Sequence, residues 1–100
     1  RSFIYISDAI EATILSANSK EADTKIVHIG TMNPVSMTDL AKMIMQISKW
    51  KGEIKIHPAP LGSTNFRCPD TTFLNSTLGF TPKVTLQTGL RLLLDDKGVI

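Results

Sequence analysis

Strand-like runs and helical patterns alternate along this chain, and that alternation constrains the fold more than any other feature. Ser2 to Ile6 is rich in β-branched and aromatic side chains. Alternation puts Arg1, Phe3 and Tyr5 on one face and Ser2, Ile4 and Ile6 on the other, so a buried strand is expected. It runs straight into a helix reaching about Ser19, with Asp8 as the expected N-cap, Glu11 at the capping-box position, and Ile10, Ile14 and Ala17 on one stripe. Lys25 to Gly30, reading KIVHIG, is expected to be a second buried strand.

The beat continues to the end. Ser36 is an N-cap with Asp39 at the capping-box position, and Met37, Leu40, Ala41, Ile44 and Ile47 follow at helical spacing. Glu53 to His57 alternates as a strand that Pro58 and Pro60 should end, and Asn65 to Cys68 is expected to be a short extended piece. Asp70 can cap a short helix stopped by Gly79 in a left-handed conformation. Thr85 can cap a last amphipathic helix outlined by Leu86, Leu90, Leu93 and Leu94 and ending near Gly98. The pattern predicts an α/β fold with a small mixed sheet and about four helices.

Composition narrows what such a fold can do. One hundred residues, 42% of them apolar, suffice for one domain with a modest core. Eleven basic and nine acidic residues are dispersed along the chain, which gives no dense footprint for nucleic acid. Phe3, Tyr5 and Trp50 form no obvious stacking platform either. No apolar run approaches the length of a membrane span. A single cysteine, Cys68, cannot form a disulfide within the chain, which fits a reducing compartment, and a cytoplasmic location is expected.

Most catalytic signatures are absent. No glycine-rich phosphate loop occurs, and His28, His57 and Cys68 stand apart without zinc-site spacing, so no metal site is expected. No nucleophile elbow or Ser/His/Asp pattern can be assembled. His28 is expected to be a buried or half-buried hydrogen-bonding residue, His57 solvated, and Cys68 an inert small side chain. Met32, Met37, Met43 and Met45 read as core filling.

Four short patterns resemble one family in the right order. RSFIYISDAIEA is similar to the R-x-F-x-Y-V-x-D-x-x-x-A segment of extended short-chain dehydrogenase/reductases acting on nucleotide sugars, and KIVHIG to that family's V-N-I-G strand. SMTDLAKMI is similar to the helix that follows, and RCPDTTFLNSTLGFTPKVTLQTGL to the R-x-P-D and LGF-x-P-x-V-x-L-x-x-GL ending. The resemblance spans Arg1 to about Leu94. Its RSF start and R-x-P-D ending look most like the UDP-glucuronate decarboxylase and 4,6-dehydratase branches.

The resemblance implies that residues 1–100 are a single C-terminal substrate-binding subdomain of a Rossmann-type enzyme. The family's N-terminal Rossmann domain, with its GxxGxxG loop and Tyr-x-x-x-Lys pair, holds NAD and performs the redox step. Neither motif is here: Tyr5 is the only tyrosine, and Ala9 stands four residues on. The chain alone is therefore expected to be inactive, with no catalytic and no cofactor-binding residue of its own. Its expected partners are the absent Rossmann domain and a UDP-, dTDP- or GDP-linked sugar. Apolar surface left uncovered would favour a homodimer of the isolated piece.

Two arginines are the expected substrate-binding residues. By resemblance Arg1 reaches the substrate diphosphate, where a planar guanidinium suits two phosphate oxygens. Arg67, just before Pro69 and Asp70, is expected near the nucleotide. The alternative for Arg1 is a strand-end arginine paired to a surface carboxylate, and for Arg67 a solvated edge residue. Asp8 is fully accounted for as a helix cap. A second class also fits the sequence, a free-standing, non-catalytic module binding a nucleotide or a protein.

Overall fold

Two helices start where a hydroxyl can cap them. Ser36 Oγ accepts the Asp39 N–H at 3.0 Å and opens a helix, and Thr85 Oγ1 accepts the Thr88 N–H at 3.2 Å and opens another. In the computed structural model, which describes all 100 residues, the α-helices are α1 (Ile6–Asn18), α2 (Met37–Ser48) and α3 (Leu86–Asp96). A 3₁₀ turn at Lys20–Ala22 follows α1, and one turn of π-helix at Phe73–Thr77 precedes Gly79, whose φ of 70° closes it as expected.

The expected mixed sheet is absent. Ser2 to Ile6, Lys25 to Gly30, Glu53 to His57 and Asn65 to Cys68 lie in extended or irregular backbone, and no strand ladder forms. The physical reason is the lack of partners. Apart from helices and turns, the only backbone exchange is between Arg1 and Val35, whose N–H groups each donate to the other's carbonyl at 3.0 and 2.7 Å. This is one rung of an antiparallel pair and nothing extends it. No backbone hydrogen bond reaches Ile26 to Ile29 or Glu53 to His57.

α1 begins earlier than the sequence suggests. Its N-cap is Tyr5, with no side-chain cap bond, so Asp8 falls inside the first turn and is not the cap. α1 buries Asp8 and Ala12, and leaves Ile6, Ile10 and Ile14 exposed on another face. The three isoleucines, four residues apart, form an apolar stripe on that exposed face.

The core is small. Ala12, Leu74 and Phe80 are buried together, with Leu15, Val27, Ile29 and Leu78 packed around them. Thr71 and Asn75 brace it, for Thr71 Oγ1 donates to Asn75 Oδ1 at 2.9 Å and Asn75 Nδ2 donates to the Phe80 carbonyl at 2.7 Å. Met32 and Met37 are exposed, against the expectation that all four methionines fill the core.

The molecule is flat and open, measuring 50 × 34 × 18 Å with a radius of gyration of 16.2 Å. A compact domain of this length has a radius of about 13 Å. Its accessible surface of 7566 Å² exceeds by roughly 2,000 Å² that of a compact monomer of the same mass.

Candidate functional site

One loop gathers the residues of interest. Gly30 to Val35 connects the extended KIVHI run to α2, and the segment carrying Arg1 runs antiparallel beside it through the Arg1–Val35 pair. Thr31 Oγ1 adds a bond to the Phe3 carbonyl at 3.0 Å. On the loop's other side lies the segment carrying Arg67. Cys68 Sγ is 3.9 Å from the Thr31 carbonyl, and a Cβ on Gly30 would stand only 2.8 Å from Pro69 Cγ. Gly30 is thus required for space, because Pro69 occupies the position a side chain would take.

Both arginines therefore sit on segments bordering the same loop. Arg1 is half-buried and Arg67 exposed. The chain's ion pairs are Lys83 with Glu11 and Lys97 with Asp96, so neither guanidinium has a carboxylate within 4.0 Å. Two planar cations without counter-ions, on backbone held by a shared loop, can receive an anion.

A cavity of about 550 Å³ opens between this loop and residues 81–86. Its polar lining comes from Thr31, Asn33, Thr71, Asn75, Thr81 and Thr85, with Phe3 among its apolar walls. Asp8 fixes the far wall. Only 2% exposed, it accepts the N–H groups of Lys83 at 3.1 Å and Val84 at 2.9 Å through Oδ2. A buried carboxylate is tolerated when backbone donors replace its water. Glu11 reinforces the contact from outside through its ion pair with Lys83 at 3.0 Å.

A second, apolar cleft of about 270 Å³ separates residues 3–6 from α3. Tyr5 closes in on the helix there, and a Cβ on Gly89 would stand 3.0 Å from its ring.

The remaining sequence-level candidates lie apart from one another. His28 is exposed and makes no side-chain hydrogen bond, contrary to the buried role expected of it, because residue 28 sits on the outward side of a run whose Val27 and Ile29 face the core. His57 is exposed, and Cys68 is half-buried with only weak sulfur contacts to carbonyls. Asp70 Oδ1 accepts the Thr72 hydroxyl at 2.6 Å and the Thr72 N–H at 3.0 Å. Those bonds hold its carboxyl below the ordinary value, with a smaller attraction from His28. No group of three His, Cys, Asp or Glu residues gathers as a metal site.

Sequence comparison supplies the context. The chain is 32% identical over 97 positions to UDP-N-acetyl-alpha-D-glucosaminuronate decarboxylase of Bacillus cytotoxicus, covering 91% of this chain and 30% of the relative. It is 36% identical over 101 positions to UDP-D-apiose/UDP-D-xylose synthase 2 of Arabidopsis thaliana, covering 86% and 26%. With UDP-glucuronic acid decarboxylase 5 of the same plant the identity is 32% over 96 positions, covering 96% and 28%. Over about nine-tenths of its length the chain is thus similar to part of nucleotide-sugar enzymes, in line with its motif resemblance to that branch of the extended short-chain dehydrogenase/reductases. No protein-family model matches the chain, and no solved structure matches it.

The chain spans less than a third of the length of these curated relatives. A dehydrogenase/reductase of this type implies NAD, and the residues here do not fit that cofactor. A dinucleotide cradle needs a strand, a turn with several glycines and a helix N-terminus. The link from Gly30 to Ser36 has one glycine, already closed off by Pro69, and no paired strand leads into it.

What the sequence missed is the use of Asp8 and the set of threonine and asparagine side chains around the cavity. The start of the helix at Ile6, which places Asp8 in its first turn, is not marked by any cap in the sequence, so nothing there signalled the role of Asp8. The cavity residues come from separate stretches and carried no signal either.

Proposed function

We propose that these residues are the C-terminal, substrate-anchoring portion of an NAD-dependent nucleotide-sugar epimerase, dehydratase or decarboxylase, with Arg1 holding the substrate diphosphate. The observation that carries this is Arg1, a half-buried residue without a carboxylate partner, on a segment tied through Val35 to the 30–35 loop. Its alternative, an arginine spent on a surface carboxylate, finds no such carboxylate. Arg67, on the other side of the loop, is the second anchoring group.

The chemistry asked of this part is binding. A sugar whose ring is altered between oxidation and reduction must stay in place, and the unreacting diphosphate is the natural handle. The NAD-holding Rossmann domain belongs to another part of the protein, and the chain by itself is inactive. The excess surface and the exposed Ile6, Ile10 and Ile14 of α1 favour such a second body, and would let the isolated chain pair with itself.

The test is Arg1→Ala in the full-length enzyme. Charge-assisted bonds of about 1.5–3 kcal/mol each predict a KM for the nucleotide sugar raised about tenfold or more, with NAD affinity unchanged. An unchanged KM would overturn the assignment.

A further inference from the structure

We propose that the stretch from Lys49 to Phe66 is a peripheral docking surface for an anionic lipid bilayer. Charge is unevenly placed along the chain. Leu40 to Arg67 holds five of the eleven basic residues but only one, Glu53, of the nine acidic ones. That stretch therefore carries +4, and the remainder of a chain whose total is +2 carries −2. Lys49, Lys51 and Lys55 are exposed, and none has a carboxylate within 4.0 Å, since both ion pairs lie elsewhere. Each unpaired lysine at a surface rich in anionic headgroups adds to the attraction.

Apolar groups stand exposed among these lysines. Trp50 is 58% exposed, and its indole lies across Gly52, where a Cβ would collide with the ring. Pro60 to Ser63 is a β-turn closed by the Ser63 N–H, which donates to the Pro60 carbonyl at 3.1 Å. Gly62 takes there the positive φ of 83° that a type II turn requires at its third position. Leu61 sits at the tip of that turn, fully exposed, with Ile56 and Phe66 exposed on the chain to either side. A leucine on a turn tip can enter the acyl boundary, while an indole between two lysines suits the headgroup level.

The combination selects the partner. A nucleic acid would satisfy the lysines and leave Ile56 and Leu61 in water. A folded protein would need a shaped face to match, yet every residue from Glu53 to Arg67 is exposed and the turn's own bond is the only hydrogen bond in that stretch. A bilayer supplies negative charge and apolar depth without demanding shape, and the lysine stems can lie along it with their ammonium groups among the headgroups.

Vesicle sedimentation of the full-length protein tests the surface, with phosphatidylcholine alone set against phosphatidylcholine containing about 30% phosphatidylserine. Binding should require phosphatidylserine and weaken as salt rises. The triple variant Lys49→Gln, Lys51→Gln, Lys55→Gln should bind about thirtyfold more weakly or worse. Leu61→Ser, on an exposed turn, should lose about threefold or more. Both variants should keep UDP binding, which reports an intact fold. Failure to sediment with either vesicle, equal binding to the neutral one, or undiminished binding by Leu61→Ser would overturn the surface. Capture by a single-stranded oligonucleotide but not by vesicles would overturn it in favour of nucleic acid, and none of these results bears on Arg1.

Discussion

By the ordinary criteria for strands, KIVHI at residues 25–29 and EIKIH at residues 53–57 are near equivalents. Both mix β-branched with polar side chains, both end in or next to a histidine, and neither pairs with another strand. They differ in what lies beneath them. Val27 and Ile29 pack on Ala12, Leu74 and Phe80, while Ile26 points away and is 86% exposed. In EIKIH no side chain is buried, and Ile56 is 80% exposed. Alternation gives a segment two faces, but a neighbouring core is what fixes one of them, and a paired edge is what makes it a strand.

Removing the surface under the first run should break the contrast most severely. Leu74→Ala empties the centre of the core, and a loss of about 2–5 kcal/mol is expected in urea unfolding. KIVHI would then be as unsupported as EIKIH. A milder pair of substitutions sharpens the comparison. Val27→Ala should cost about 1 kcal/mol, whereas Ile56→Ala should stay within about 0.5 kcal/mol of zero in the same measurement. Equal effects would mean that the second run has a contact equivalent to the first.

The smallest expected effect concerns the histidines. His28 attracts Asp70, whose carboxyl is held below its ordinary value chiefly by the Thr72 hydroxyl and N–H. The folded value is depressed, so the contribution is fully present above the ordinary carboxylate range and fades as pH falls through the lowered value. NMR titration of the Thr72 amide should follow that fading, with a slightly lower midpoint in wild type than in His28→Ala. His57→Ala should leave the midpoint where it was.

The same comparison explains how far the sequence could be read. α2 and α3 were legible because every signal for them is local: the Ser36 and Thr85 caps and the apolar spacing that follows. The sheet was not, since alternation describes faces and says nothing about whether a partner strand exists. Asp8 was misplaced because the extended run gives way to helix at Ile6, two residues before that acid, which frees its carboxylate for a distant loop. Arg1 and Arg67 were singled out by motif resemblance alone, and the structure brings the segments that carry them to one loop. The cavity between that loop and residues 81–86 was invisible, because its threonines and asparagines become neighbours only once the chain is folded.

Asp8 also sets an order of events. Its donors, the N–H groups of Lys83 and Val84, lie 75 and 76 residues further along the chain. While the polypeptide is being made, α1 can wind as soon as its own residues emerge, but its buried acid has no backbone donors until the segment leading into α3 has left the ribosome. Closing so long a loop is slow compared with winding a helix. Asp8 therefore gains its donors only once residues 83 and 84 are in place, and a truncation before residue 83 would return its carboxylate to water.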